Sequence, residues 1–211
     1  MKKITFLSVL LIAIASLAFL NMGMASESNL SGAVVGEPAP DFSVVDAYGN
    51  THSLSDYEGQ FVILEWLNHD CPFVRKHYDG NNMQELQKKY TDQDVVWLSV
   101  ISSAPGTQGY LEPEGAQKIT GEKNASPTAV LLDEDGTMGR AYDARVTPHM
   151  YIINPDGILE YNGAIDDRPT PRARDLEGAR NYVVEAMDAL MNGGEIEVRT
   201  NTPYGCTVKY N

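Results

Sequence analysis

The chain has 211 residues, a formal net charge of −13 at pH 7 and two cysteines. That length holds one domain whose core needs neither metal nor disulfide as a prop, and the apolar content excludes a disordered chain. A surface this acidic repels phosphates and so excludes nucleic acid as a partner.

Lys2 and Lys3, the almost wholly apolar run from Ile4 to Leu20 and the small residues Gly23-Met24-Ala25 form the pattern of a secretory signal peptide over residues 1–25, cleaved after Ala25. Left uncleaved, that run approaches membrane-spanning length, and the membrane becomes a partner only in that case. The leader carries two basic residues and no acidic one, so the mature chain has a charge of −15. A short leader of this kind implies an exported bacterial protein, periplasmic or secreted. Residues 26–33 read as a polar linker, 34–192 as one domain and 193–211 as a tail carrying Cys206.

Within the domain, Phe42–Asp46 and Thr51–Leu54 flank the turn Tyr48-Gly49-Asn50 and predict a hairpin. Phe61–Leu67 is nearly continuously apolar, as in a strand buried on both faces. Cys71-Pro72 opens a helix towards Tyr90, with Pro72 at the first helical position and a break expected at Asp79–Asn82. Val95–Ile101 and Thr128–Leu132 are further strands, separated by a short helix over Glu112–Gly121. The acidic segment Asp133–Asp135 reads as a turn, followed by one or two helical turns over Gly139–Ala144. His149–Ile153 and Ile158–Tyr161 pair around Asn154-Pro155-Asp156-Gly157. Asp175–Met191 predicts an amphipathic helix with Leu176, Ala179, Tyr182, Val183, Ala186 and Leu190 on one side, ended by Gly193-Gly194. Strands alternating with helices, then a hairpin, give an α/β fold with a mixed central sheet and helices on both faces.

Cys71 follows a buried strand and precedes a helix. A helix N-terminus offers unpaired N–H groups and partial positive charge, which stabilise the thiolate, the reactive form of cysteine. Arg75 and Lys76 add positive charge one turn on, and Asp70 opposes it. Cys206 is the second thiol, 135 positions away, and an exported chain with two cysteines permits one disulfide. A bridge closing so long a loop is worth roughly 5 kcal/mol in the chain-entropy account.

The segment Glu65-Trp66-Leu67-Asn68-His69-Asp70-Cys71-Pro72-Phe73-Val74 resembles the active-site turn of the thioredoxin superfamily. The opening Val35–Phe42, the strand and turn Thr128–Gly136, the segment Val146-Thr147-Pro148-His149 and the final hairpin Ile152–Gly157 occur in the order of its redoxin branch, the peroxiredoxin-like AhpC/TSA type. The resemblance is closest to exported members with a single Cys at the turn and a late Gly-Cys segment, here Gly205-Cys206. It implies a thioredoxin-like fold and, in the turn facing the reactive Cys, a cis proline at Pro148 that presents the backbone of Thr147 to a bound peptide or disulfide. It also implies that Glu65, a carboxylate within an apolar strand, assists proton transfer; the alternative is a residue facing an edge. His69 is a base or hydrogen-bond partner for the thiol, Arg145 a source of positive charge, Trp66 core, and His77 a packed residue.

Three positions depart from the pattern. Thioredoxins carry a second Cys three positions on, where this chain has Val74; typical peroxiredoxins carry a Pro and a Thr or Ser where it has Leu64 and Asn68. The reading is therefore a thiol-based oxidoreductase acting on protein thiols, disulfides or peroxide, with an unspecified electron donor and no cofactor. Cys71 is the nucleophile, and Cys206 is either its resolving partner or half of a static bridge. The alternative is a redox-inactive binding module or metallochaperone with a structural Cys71–Cys206 bond; His149 would stand beside such a metal site, although the spacing matches no zinc pattern.

Overall fold

The computed structural model describes residues 32–211, so the leader read over residues 1–25 lies outside the described residues. β1 (Ser43–Val45) and β2 (Thr51–Ser53) form the expected antiparallel hairpin. Leu54, expected to end the return strand, instead begins a 3-10 turn over Leu54–Tyr57. Asp56 causes the difference by accepting a hydrogen bond from Ser53 N at 2.7 Å, which curls the chain out of the strand.

β3 (Val62–Trp66), β4 (Val96–Ile101), β5 (Ala129–Leu132), β7 (His149–Ile153) and β8 (Leu159–Gly163) make the central sheet, in the order β5-β4-β3-β7-β8. β3, β4 and β5 are parallel; β7 runs antiparallel to β3 and to β8. Every residue of β3, β4 and β7 is buried, which is why these segments read as nearly continuous apolar runs. Successive side chains point to opposite faces. Ile63, Trp97, Met150 and Ile152 pack with α1 (Pro72–Asp79), α2 (Asn82–Thr91) and α5 (Tyr182–Met191), and Ala116 of α3 (Pro113–Glu122) joins them. Val62, Leu64, Trp66, Leu98 and Tyr151 pack on the other side with Phe42 and with Met138 of α4 (Thr137–Ala141). The sheet is thus mixed and covered on both faces.

The helix after Cys71 divides where expected: Asn81 adopts φ +58 and separates α1 from α2. The last helix is shorter than its apolar spacing suggests. Asp175 and Leu176 lie in a separate 3-10 turn (Ala173–Leu176), Gly178 turns the chain at φ +68, and α5 starts only at Tyr182. The Asn181 side chain supplies the cap by accepting from Val184 N at 3.0 Å. Residues 193–211 return across the domain as an ordered strap. In it, β9 (Cys206–Thr207) pairs antiparallel with the short β6 (Val146–Thr147). No helix among the described residues is long and apolar enough to cross a membrane.

Candidate active site

Cys71 is the N-cap residue of α1, with extended backbone (φ −74, ψ 124) and Pro72 behind it. No side chain caps the helix and its first turn contains no acidic residue, so its N-terminal N–H groups are left to act on the sulfur. Asn68 shapes the turn: its backbone carbonyl accepts from Cys71 N at 2.9 Å, and its side chain accepts from Asp70 N at 2.8 Å and donates to Gln108 O at 3.3 Å. Both ends of that amide are engaged.

Facing the turn, the Thr147–Pro148 peptide bond is cis, and Thr147 O lies 3.2 Å from Cys71 Sγ. Thr147 is paired in register with Cys206, whose sulfur is bonded to that of Cys71 across a Cα–Cα distance of 5.8 Å. The expectation of a single-Cys site is corrected accordingly: α1 supplies one sulfur and the returning strap the other. Cys71 is completely buried and Cys206 partly so. Gly205 has φ +145, and a Cβ there would collide with Thr147 O. Only a glycine lets the strap come this close.

Glu65 is fully buried, which removes the edge-facing alternative. Its Oε1 accepts from Tyr78 Oη at 2.9 Å, and its Oε2 accepts from Trp97 Nε1, Ser99 Oγ and Gln87 Nε2 at 2.9, 3.0 and 3.1 Å. Burial raises its pKa above the ordinary carboxylate value, against those four donors, and none of its hydrogen bonds goes to Cys71. Trp66, one residue on, points to the opposite face and donates to Ser102 Oγ at 3.0 Å, away from the disulfide. Arg145 is exposed and pairs with Asp143 at 2.6 Å, so its charge is turned outward. Arg75 is exposed, and Lys76 turns inward to Asp166 at 2.8 Å rather than to the sulfur.

Three of the histidines are held neutral. Burial pushes His69, His77 and His149 down to about 4. His69 packs edge-on against Tyr78, with centroids 5.0 Å apart, and makes no hydrogen bond to Cys71. His77 bonds to Asn82 Nδ2 at 2.9 Å and Tyr204 Oη at 3.3 Å. His149 bonds to Asn162 Oδ1 at 2.7 Å and Tyr151 Oη at 3.1 Å. A histidine whose folded pKa is depressed binds fewer protons folded than unfolded, so stability falls as pH drops from about 6.5 towards 4. His149→Gln keeps a donor and an acceptor without the titration. Relative to wild type, the variant is expected to gain roughly 2 kcal/mol between pH 7 and pH 4.5 in urea unfolding. An unchanged difference counts against a neutral buried His149.

Sequence reasoning missed the cluster of Lys76, Asp166 and Tyr204 beside the disulfide. One signal was available: Lys76 shares a helical face with Phe73 and His77, at the spacing of a buried stripe. Among the described residues, no three His, Cys, Asp or Glu side chains are placed to hold a metal. A cavity of about 820 Å³ lies elsewhere, between the β1–β2 hairpin and the start of α4, and is not lined by either cysteine.

A model of the AhpC/TSA family matches residues 35–162. The thiol–disulfide oxidoreductase ResA of Bacillus subtilis is 26% identical over 151 residues, covering 71% of this chain and 77% of ResA. The peroxiredoxin Bcp of the same organism is 26% identical over 110 residues, covering 52% of this chain and 63% of Bcp. In structure, an uncharacterized conserved protein from Geobacillus kaustophilus superposes with a TM-score of 0.73 at 24% identity, covering 86% of this chain and 94% of that one.

Proposed function

The chain belongs to the AhpC/TSA family, as an oxidoreductase of thioredoxin-like fold, and we propose that it is an extracytoplasmic thiol–disulfide oxidoreductase whose redox couple is Cys71–Cys206. The observation that carries this reading is the bond between the helix-cap cysteine and the strap cysteine, beside the cis Thr147–Pro148 turn. Opening it takes two electrons from a dithiol donor, and closing it passes them to a disulfide substrate. When the bond opens, the N-terminus of α1 favours the charge on Cys71, and a sulfur that leaves readily speeds exchange. Exported location is supported by the apolar leader and by the disulfide itself, since such bonds persist in oxidising compartments.

Exchange is favoured over peroxide reduction by Asn68. It stands where peroxiredoxins carry a hydroxyl, and both ends of its amide are already bonded within the turn. The test compares wild type with Cys71→Ser for reduction of a peptide disulfide by dithiothreitol and for peroxide consumption. Disulfide reduction is expected to fall at least 100-fold in the variant, on the scale of losing a covalent nucleophile, with little peroxide consumption in either protein. Equal rates in both assays, with a midpoint potential below about −300 mV, would make the bond structural and the protein a redox-inactive module.

A further inference from the structure

Tyr204 stands two residues before Cys206 and is gripped by the helix that carries Cys71. Its hydroxyl donates to Asp166 Oδ1 and accepts from Lys76 Nζ at 3.1 Å and His77 Nε2 at 3.3 Å. Its ring packs on Phe73, with centroids 5.7 Å apart. Phe73, Lys76 and His77 all belong to α1. The Lys76 side chain has no exposed surface, and its ammonium is shared among Asp166, Arg168 O at 2.7 Å and Tyr204. A buried ion pair is tolerable only when its remaining donors and acceptors are satisfied. Docking the strap completes that set.

The other side of Cys206 is also fixed. Val208 is buried and donates its N–H to Arg145 O at 3.0 Å, Lys209 O accepts from Ala104 N at 2.8 Å, and Tyr210 Oη donates to Ala144 O at 2.6 Å. None of these contacts involves sulfur, so none is lost when the disulfide opens.

We propose that Tyr204 is a latch that holds the strap over the site in both redox states, so that exchange enters at Cys206 while Cys71 works from beneath. Cys71 has no exposed surface; Cys206 is partly exposed, between partly exposed Gly205 and exposed Thr207. The first thiolate of a dithiol donor attacks Cys206 Sγ. A donor–Cys206 bond forms, the Cys71–Cys206 bond breaks, and the electron pair leaves on Cys71 at the N-terminus of α1. The donor's second thiol loses its proton to water and attacks the donor sulfur of the mixed disulfide. The donor departs oxidised as a disulfide, and Cys206 leaves as a thiolate that takes a proton from water. Only this order of attack rests on the exchange function proposed above; the latch does not.

The test is alkylation of the full chain, reduced with a phosphine and labelled with iodoacetamide. The rate at each cysteine is read by peptide mass spectrometry relative to the denatured chain. Cys206 is expected to label within a few-fold of the denatured rate, and Cys71 to be protected roughly 100-fold, as for a group exposed only by local opening. Tyr204→Phe keeps the ring on Phe73 and is expected to lower Cys71 protection about tenfold, the scale of one hydrogen bond to charged groups. Tyr204→Ala is expected to remove most of it, with Cys206 unchanged. Cys71 labelling as fast as Cys206 in reduced wild type overturns the strap, and equal Cys71 protection in wild type and Tyr204→Phe overturns the latch. Circular dichroism confirms folding, and Tyr204→Phe carries the test if the alanine variant does not fold. A Cys71→Ser variant with wild-type turnover would sink the exchange reading and leave these protection values untouched.

Discussion

Gly205→Ala is expected to lift the strap from β6 and to keep Cys71 and Cys206 from pairing. The residue sits at φ +145, in a region of backbone space that is essentially reserved for glycine. Space forbids a side chain as firmly as conformation does, because an added Cβ would strike Thr147 O and lie 3.3 Å from Pro148 N. Both obstacles are backbone atoms of the turn that faces Cys71, so neither can swing aside as a flexible side chain would. Conformational strain and overpacking together cost about 3 kcal/mol, which corresponds to strap docking weakened roughly 100-fold. The measurement is the oxidised fraction at equilibrium in a series of glutathione buffers, read by mass under non-reducing conditions. Gly157→Ala is the control, since Gly157 also has positive φ (+77) but nothing within 4 Å of an added Cβ. It is expected to leave the redox equilibrium where it was. Equal oxidised fractions for Gly205→Ala and wild type would mean that Cys206 reaches Cys71 without the β6–β9 pairing.

How far such a site is legible in sequence depends on the range of the interactions that make it. β3, β4 and β7 announce themselves because burial on both faces favours apolar residues at nearly every position, with Glu65, Ser99 and His149 as the hydrogen-bonded exceptions. The end of α1 is legible because a local cluster of Asp, Gly and Asn cannot continue a helix. The start of α5 is not. Leu176 and Ala179 continue the helical spacing, and only the Asn181 cap, Gly178 and the pairing of Asp166 with Asn181 move the boundary to Tyr182. The strap is the extreme case. Its residues look like a polar tail because their partners are remote: Tyr204 meets Lys76 across 128 positions, and Cys206 meets Cys71 across 135. Lys76 reads locally as a charge for the thiolate, yet Asp166, 90 positions on, draws it into the core. Adjacency to the cysteine in sequence was a poor guide for Arg75, Lys76 and His69, whereas the segment preceding Pro148, far away in the chain, lies against the sulfur.

Glu65 is where removing one side chain is expected to harm the fold most. Its two oxygens serve four donors from α1, α2 and β4, and no water reaches them, since the residue is completely buried. Glu65→Leu fills similar space but strands Trp97 Nε1, the Ser99 hydroxyl and the Tyr78 hydroxyl proton, while Gln87 Nε2 keeps its bond to Tyr78 Oη at 3.2 Å. At about 1–3 kcal/mol for each unsatisfied buried group, partly relieved by rotation of the two hydroxyls, the loss is expected to be roughly 4 kcal/mol in urea unfolding. Glu65→Gln is a much milder change. Its oxygen can serve Trp97, Ser99 and Gln87, while its amide donates to Tyr78 Oη, so the cost at neutral pH is about 1 kcal/mol. The two variants also separate the charge from the hydrogen bonds. Burial raises the folded pKa of Glu65 above its unfolded value of about 4.3, so between those two values the folded chain holds more protons than the unfolded chain. Stability from this group is therefore full below the unfolded pKa and is lost as pH rises through the window. Glu65→Gln does not titrate, and every other group is common to both proteins. The deficit of Glu65→Gln relative to wild type is expected to shrink from pH 5 to pH 8. A deficit that grows over that range would mean that the four donors outweigh burial and that Glu65 is an acid of lowered pKa, held as a carboxylate by its cage.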